Sequence, residues 1–511
     1  MTIVSITPEV ALDEFPVFAG GLGILEGDKF YSISKKCKDY IVLTLLYKNG
    51  YVEYNKNLNL THQEYLRDFM YKLLVPEEEL SFDMGILGKV LAKPYAFRKY
   101  TSKVVFFRPI SPERVVKASE QLYIEESPED FAIKYSFLAK ASLTYIFERI
   151  GVENIEYIDL QEALSSIISL LLPSELLKKT RLIIHTPGPW GHPYISTQYL
   201  KNYLNVDLGA GDIMITKVAL DKVSKAFTVS AKHQELTVNL FRESREKLSH
   251  VTNGVELDRW THPEILKFLS KGQFNVEEFR KAHERAKRDL LNLLKEYKGN
   301  IPSEETFVVS WVRRVTPYKR PYFAVRLAEE FKEFNNILFI LGGKAHPKDG
   351  MGVDWMRKFK ELSDKYNNVI FIHDYDIVRA KLILAGSDLL LFTPFSGWEA
   401  CGTSYMKAGI NGVPSLASRD GGAIEMIVSW ENGWLFGKDL REFINLFTDI
   451  DRVRKIDEED YQEMRSLFIE IYKLYTDNKE KFYEIGLNAL KTFRRKADIS
   501  RALEEYGYIK R

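Results

Sequence analysis

Cysteine is nearly absent: Cys37 and Cys401 are the only two in 511 residues. That excludes a disulfide framework and leads us to expect a reducing, cytoplasmic setting. Histidine is sparse too, with nine residues and no HxxxH, HxH or CxxC spacing, so no metal site is expected. Net charge is also lacking, since 72 Lys and Arg against 71 Asp and Glu leave +1. A surface without a field of one sign argues against nucleic acid or a membrane as the main partner, and any anion site has to be local. The most apolar run, Leu164 to Leu172, is short and interrupted by serines, so nothing is expected to span a bilayer. Met1-Thr2-Ile3-Val4-Ser5 lacks a cationic start and a sustained apolar stretch, so no signal peptide is expected. Internal repeats and low-complexity segments are missing as well.

What is present is length enough for two or three domains with ample core, and a steady alternation of short apolar runs with longer amphipathic ones. The expected strands are Tyr40–Tyr47, Val104–Arg108, Ile155–Leu160, Leu182–His185 and Phe227–Ser230, then Thr306–Trp311, Ile337–Gly342, Val369–His373 and Asp388–Phe392. Helical patterns such as Phe131–Arg149, Gln161–Leu177, Arg320–Phe334 and Trp355–Tyr366 lie between them. Unpatterned β-branched strands alternating with helices predict an α/β protein whose parallel sheets are covered on both faces. A charged helical stretch, Val276 to Lys298, ends at Gly299-Asn300-Ile301-Pro302 and separates the halves. The expected division is an N-terminal domain over 1–254, a C-terminal domain over 255–490 and a helical tail over 491–511.

Several segments could carry chemistry. Glu399-Ala400-Cys401-Gly402-Thr403-Ser404-Tyr405-Met406-Lys407 follows the apolar run Asp388–Phe392 and reads as strand, loop, then helix start. Backbone N–H groups there favour an anion, and Lys407 could neutralise a phosphate or hold an aldehyde as a Schiff base. Gly-Thr/Ser turns also serve as plain helix caps. Phe18-Ala19-Gly20-Gly21-Leu22-Gly23 is a glycine loop whose backbone could approach a ligand closely, or a tight turn feeding a helix. Trp311-Val312-Arg313-Arg314-Val315-Thr316-Pro317-Tyr318-Lys319-Arg320 places four cations at the carboxyl end of a strand, where open parallel sheets bind ligands. The alternative is a solvated basic loop. His185-Thr186-Pro187-Gly188-Pro189-Trp190-Gly191-His192 is a stiff loop that could present His185, and Asn253 in Val251-Thr252-Asn253-Gly254-Val255 could bond a sugar hydroxyl or simply shape a turn.

In this order the segments resemble the α-glucan phosphorylases, the glycogen and maltodextrin phosphorylase family, in a short archaeal or bacterial form. Phe18 to Asp28 is similar to (Y/F)xGGLGxLAGD, and Leu46–Tyr51 to LLYxxGY. The segments at His185, Asn253, Arg313–Arg320, Gly343–Pro347, Glu399–Lys407 and Asn432–Trp434 are similar to HTPxPxGH, TNGV, RRxxxYKR, GKAHP, EASGTxxMK and NGW. The resemblance implies a GT-B architecture: two Rossmann-like, doubly wound parallel-sheet domains facing a central cleft. It implies pyridoxal 5′-phosphate held as a Schiff base on Lys407, its phosphate against Gly20 and Gly21 with Arg313, Thr403 and Ser404 alongside. Inorganic phosphate would be bound by Arg314 and Lys319. Glu399, Gly402, Asn253 and Cys401 would line the glucose, and His185 would touch the sugar near its reacting carbon. The implied reaction releases glucose 1-phosphate from the non-reducing ends of an α-1,4-glucan, with the cofactor phosphate shuttling a proton to the substrate phosphate. A homo-oligomer is compatible with this.

Three positions depart from the family pattern: Cys401 replaces serine, Tyr405 replaces glycine or asparagine, and Glu26 replaces alanine. Little precedes the glycine loop, so N-terminal phosphorylation and nucleotide-control segments are expected to be absent. A nucleotide-sugar transferase of glycogen-synthase type shares the architecture and a GGLG loop. It would carry a lysine where Phe18 stands and no lysine at position 407. A non-catalytic glucan-binding relative would not need the cations at Arg314, Lys319 and Lys407.

Overall fold

The computed structural model describes residues 1–15, 18–36, 38–61, 68–272, 274–299 and 303–510. Cys37 and residues 300–302 of the expected boundary lie outside the described residues. The chain forms two compact units. The first comprises Met1–Tyr51, His62–Thr252 and Ala502–Arg511; the second comprises Val52–Thr61 and Asn253–Arg501. The segment expected as a tail is thus divided: the helix Lys479–Lys496 belongs to the second unit and the last ten residues to the first.

The first unit is built on a ten-stranded sheet. Seven of its strands run parallel: Thr2–Ile6, Tyr40–Leu45, Ser102–Ser111, Ile155–Gln161, Thr180–Ile183, Lys225–Thr228 and Leu248–His250. Numbered by chain position, they lie in the order third, second, first, fourth, fifth, sixth, seventh. The chain winds outward from Thr2–Ile6, then returns to its other side, creating a switch point between the first and fourth strands. Lys89–Lys99 folds back antiparallel on Ser102–Ser111 and extends the edge. Every residue of Thr2–Ile6 is buried, as expected of a strand covered on both faces. The expected helix over Gln161–Leu177 is instead broken. Gln161 ends a strand, Glu162 takes a left-handed backbone (φ 67°), and Glu162–Ser165, Ser166–Leu170 and Ser174–Leu177 are separate short turns, the last beginning after Pro173.

The C-terminal residues of this unit are fastened by one buried cation. Arg181 donates from Nε and Nη2 to the two Asp159 oxygens at 2.6 and 2.7 Å, and from Nη1 to the Tyr506 carbonyl at 2.7 Å. Tyr508 adds its hydroxyl to Asp159.

The second unit holds six parallel strands: Phe307–Val312, Ile337–Gly342, Val369–Ile372, Leu389–Phe392, Ser415–Ser418 and Trp434–Phe436. Their spatial order is third, second, first, fourth, fifth, sixth, the Rossmann order, with the switch point between Phe307–Val312 and Leu389–Phe392. Residues 52–61 join this unit as a small hairpin. Tyr54 donates to the Ala345 carbonyl at 3.0 Å and Lys344 pairs with Glu53 at 2.8 Å. Among the described residues no helix is long and apolar enough to cross a membrane.

At the amino ends of the central strands, Asp388 is fully buried against the helix Val276–Leu294. That helix starts at Asn275, whose side chain accepts from Glu278 N, and buries Phe279, Ala282, His283, Ala286, Lys287 and Leu290 along one face. Lys287 Nζ reaches Asp388 Oδ2 at 2.6 Å and the Thr306 carbonyl at 2.6 Å, His283 Nε2 lies 3.2 Å from Oδ1, and Val308 N donates to Oδ2 at 2.8 Å. Burial alone would raise the Asp388 pKa; the Lys287 charge and the His283 contacts hold it below its ordinary value. Removing one member leaves a charge stranded in the core. Asp388→Ala is therefore expected to lower the unfolding free energy by about 3–5 kcal/mol, and adding Lys287→Met should recover part of that. Urea denaturation of both variants checks this; a double variant no more stable than Asp388→Ala would refute it.

Candidate functional site

In the second unit, the loops leaving the two switch-point strands are tied together. Arg320, fully buried with a left-handed φ of 49°, donates to the Thr393 and Pro394 carbonyls at 2.8 and 3.0 Å and to Asp460 at 2.8 Å. The Thr393 hydroxyl donates to the Lys319 carbonyl at 2.8 Å and accepts from Trp311 Nε1 at 2.9 Å. Sequence reading grouped Arg320 with the ligand-facing cations; the structure uses its charge to pin the loops that carry the others.

Those loops bring Arg313, Lys319 and Glu399 into contact. Glu399 Oε2 lies 2.5 Å from Arg313 Nη2 and 3.3 Å from Lys319 Nζ, all three side chains being nearly buried. The Arg313 guanidinium stacks 4.3 Å over Phe392, while its Nε and Nη1 are buried without a hydrogen-bond acceptor. Two unsatisfied N–H groups of a buried guanidinium are costly unless an acceptor arrives. Gly402 is required by this arrangement, because a Cβ there would lie 2.6 Å from the Phe392 ring and 3.4 Å from Arg313 Nη2. Arg314 is exposed, and its charge is close enough to contribute to lowering the pKa of Lys319.

Glu399 is aimed by Asp420, which sequence reading missed. The buried Asp420 carboxylate accepts from Gly397 N and Glu399 N, each at 2.8 Å. Its only sequence signal is its place after the strand Ser415–Ser418. Burial would raise the Glu399 pKa, but Lys319 and Arg313 more than offset it and hold the group ionised. For Lys319, burial and then the Arg313 charge lower the pKa from 10.5 to about 7, with Glu399 opposing them.

Lys407 sits in the short helix Ser404–Gly409 with its Nζ 3.8 Å over the Trp260 ring. Asn411 joins the two. Its Nδ2 donates to the Lys407 carbonyl at 2.8 Å and the Trp260 carbonyl at 2.9 Å, and its Oδ1 accepts from His262 N at 2.7 Å. A buried ammonium on an indole face is stabilised by the ring quadrupole. Thr403 precedes this helix without capping it through its side chain, and Ser404 begins it. Asn253 donates from Nδ2 to the Cys401 carbonyl at 3.1 Å, leaving a buried Oδ1 without a donor. The two departures at Cys401 and Tyr405 prove to be partners, with Sγ 3.7 Å from the hydroxyl and the Tyr405 ring against Phe392 and Phe493. Burial pushes the Cys401 thiol up to about 12, so it stays protonated and unreactive.

In the first unit, the helix Gly21–Ser34 begins at the glycine loop, but Gly20 N donates to Glu9 Oε2 at 3.3 Å and Ala19 N to the same oxygen at 2.5 Å. Gly20 therefore already serves a carboxylate of its own chain. Gly21 is open: a Cβ there would meet nothing within 4 Å. Glu26 is fully buried beside Lys29 at 3.3 Å and accepts the Tyr40 hydroxyl. His185 follows the strand Thr180–Ile183. Its Nε2 contacts Gln161 Oε1 at 2.9 Å, and its backbone N–H donates to Glu162 Oε2 at 2.5 Å. Burial, then the Lys29 and His233 charges, push His185 well below its ordinary pKa, so the imidazole is neutral. Glu162, also missed in the sequence, is pushed up to about 8 by burial, and its Oε1 is buried without a partner.

The structure thus links Arg313, Lys319, Glu399, Gly402, Cys401 and Asn253 through direct contacts or close approach. Arg314 and Thr403 stand on the same loops and Ser404 and Lys407 on the short helix that follows, while Gly20, Gly21 and His185 belong to the first unit. Doubly wound sheets with a buried cation cluster at a switch point define an α/β protein equipped for an anionic ligand. Residues 240–506 match the family model of the carbohydrate phosphorylases. Among curated relatives, the maltodextrin phosphorylase of Thermococcus litoralis is 24% identical over 96% of this chain and 68% of its own. The glycogen phosphorylase of Aquifex aeolicus is 25% identical over 85% and 76%, and an uncharacterized protein of Methanocaldococcus jannaschii is 24% identical over 80% and 82%. The chain belongs to the carbohydrate phosphorylase family.

Lys319 supplies a pH test. An unfolded lysine keeps its proton up to about 10.4. Between about 7 and about 10.4 the unfolded chain therefore holds more protons, and this group's contribution to stability rises with pH. An anion binding beside Lys319 needs its charged form. Sulfate, dianionic throughout this range, should bind more weakly as pH rises through 7, approaching about tenfold per pH unit once the amine is largely neutral. Lys319→Arg, which keeps its charge, should flatten the profile. Calorimetric titration decides, and a flat wild-type profile would refute the assignment.

Proposed function

We propose that this protein is an α-glucan phosphorylase, transferring the terminal glucosyl unit of an α-1,4-glucan to inorganic phosphate and releasing glucose 1-phosphate. The observation that carries the reading is Arg313, a buried guanidinium with two N–H groups lacking acceptors, beside Lys319 in a protein with a net charge of only +1. Such a cluster is suited to phosphate oxygens. The names of the relatives support the glucan as substrate.

Pyridoxal 5′-phosphate fits the second unit on its own residues. Lys407 would anchor its aldehyde, and Arg313 Nε and Nη1, with Thr403 and Ser404, would meet its phosphate. When bound, the cofactor supplies a phosphate group able to pass a proton to and from the substrate phosphate. Gly20, whose amide already serves Glu9, is the weakest member of the proposed cofactor set, and Gly21 is the better candidate.

Arg314 and Lys319 would hold and orient the substrate phosphate, and their charge stabilises the negative charge that builds on it as the glucosidic bond breaks. Glu399, kept ionised, holds Arg313 and Lys319 in place and would accept from a glucose hydroxyl. Asn253 and Gly402 would line the sugar with it, and Cys401, as a protonated thiol, offers only a weak donor there. His185, neutral, would contact the sugar without adding charge.

Borohydride reduction of the purified holoenzyme should fix a pyridoxyl group on Lys407, found by peptide mapping. A protein that stays colourless after incubation with pyridoxal phosphate would overturn the cofactor assignment. Maltodextrin should yield glucose 1-phosphate only when phosphate is present. Arg314→Ala and Lys319→Ala should each lower kcat/KM by about a hundredfold or more while the Lys407 adduct still forms. Release of glucose 1-phosphate unaffected by either change would remove them from the reaction.

A further inference from the structure

Glu26 stands where the family pattern has alanine, and neither phosphate nor cofactor chemistry uses it. It is nevertheless the end of a buried line of hydrogen bonds that reaches His185. Strand pairing sets the line up. Ile3 lies opposite Tyr40 and Ser5 opposite Asp159 in parallel register, so the period of two puts Tyr40, Ser5 and Gln161 on one face of the sheet. The switch point between the first and fourth strands brings Ser5 beside Gln161, whose Nε2 lies 3.0 Å from Ser5 Oγ. The helix Gly21–Ser34 brings Glu26 to the Tyr40 hydroxyl. Glu26, Lys29, Tyr40, Ser5 and Gln161 are all fully buried, so their bonds run to one another rather than to bulk water.

The direction of the line follows from its carboxylate end. Glu26 pairs with Lys29 at 3.3 Å and so only accepts, and the Tyr40 hydroxyl gives it its single proton. Burial, then the Glu26 charge, raise the Tyr40 pKa well above its ordinary value, which keeps that proton in place. Toward Ser5 the Tyr40 oxygen can then only accept, and Ser5 is its donor. Ser5, its proton spent, accepts from Gln161 Nε2, which turns Gln161 Oε1 to His185 Nε2 at 2.9 Å. An amide oxygen has no proton to give, so the ring supplies it. Burial disfavours the imidazolium, as do the Lys29 and His233 charges, and the nearby Glu162 is engaged by the His185 backbone N–H. What the line decides is therefore which of two neutral tautomers the ring adopts.

We infer that Glu26 is a positioning residue for His185, fixing through Tyr40, Ser5 and Gln161 the tautomer that carries its proton on Nε2 and leaves Nδ1 as the acceptor. The ring then meets a ligand with one donor–acceptor pattern instead of two. That this ligand is the sugar rests on the α-glucan phosphorylase reading; the tautomer does not.

Nitrogen-15 NMR of the full-length holoenzyme labelled at histidine, with His185 assigned through His185→Asn, reads the tautomer directly. The wild type should show His185 protonated on Nε2 alone. Tyr40→Phe keeps the Glu26–Lys29 pair but removes the acceptor for Ser5, whose hydroxyl then turns to Gln161 and inverts its amide. The Nδ1–H tautomer should appear. Glu26→Ala combined with Lys29→Met, which strands no lysine, should do the same. Tyr47→Phe, at a buried tyrosine whose hydroxyl donates instead to the Pro8 carbonyl at 2.8 Å, should leave the wild-type tautomer. In maltodextrin phosphorolysis kcat/KM should fall with the fraction of ring converted, about twofold at half conversion, with the KM for phosphate unchanged. A wild type protonated on Nδ1, or either Tyr40→Phe or the double variant keeping Nε2–H alone, would overturn the inference. So would an equal shift in Tyr47→Phe, which would mean a loosened sheet, or a kcat/KM that ignores the tautomer in an active enzyme. The expected tautomers in a protein whose wild type releases no glucose 1-phosphate would uphold the line and overturn the phosphorylase reading.

Discussion

The Glu399 carboxylate is the contact on which the rest of the second unit's candidate site depends. Two buried cations, Arg313 and Lys319, share its Oε2, and its own backbone is held by Asp420. Without it, both charges would sit in a low-dielectric setting with no counter-ion, a cost that proteins ordinarily avoid by neutralising a group. Lys319, brought to about pH 7, is already at that balance. The cluster is therefore under-neutralised in the direction an incoming dianion would correct. That is how a protein of nearly zero net charge can take a doubly charged ligand without a positive surface.

The same two strands divide stability from chemistry by their ends. At the amino end of Leu389–Phe392, Asp388 is saturated by Lys287, His283 and the Val308 amide. At the carboxyl ends lie Arg313 with unsatisfied N–H groups, Asn253 with an unsatisfied Oδ1, and a lysine poised on an indole. Polar groups paired within the chain lock the sheet to its helix, while Arg313 and Asn253 keep unsatisfied atoms where the loops converge. Arg320 belongs to the first class despite its place in the basic run, because its donors are consumed by the Thr393 and Pro394 carbonyls and Asp460.

Departures from the family pattern also read as pairs. Cys401 and Tyr405, four residues apart, meet each other, so a weaker donor and a larger ring are accommodated together and the space beside Phe392 stays filled. Glu26 is balanced by Lys29 and by the Tyr40 hydroxyl. These contacts account for all three substitutions as internal adjustments of packing and charge.

Much of the α/β layout was legible from local pattern. Strands such as Ile337–Gly342 and Leu389–Phe392 are apolar on both faces, and the segments at His185, Arg313 and Glu399 follow strands, where an open parallel sheet must expose its loops. The composition by itself determined that charge had to be concentrated locally, and the order of motifs placed the cations and the lysine. Other features were beyond its reach because they depend on partners far along the chain. Thr2–Ile6 is too short to announce itself as the central strand, and Glu162 sits where a helix was expected. Residues 52–61 are assigned to the second unit by contacts with Lys344 and Ala345, and the last ten residues to the first by Arg181. Asp420, Asn411 and Glu9 bind backbone groups that only folding brings to them. Residue type and spacing determine which side chains can hold an anion or a sugar. Tertiary structure decides which of them are spent on their own chain, since a hydrogen bond is counted only once both of its partners are in place.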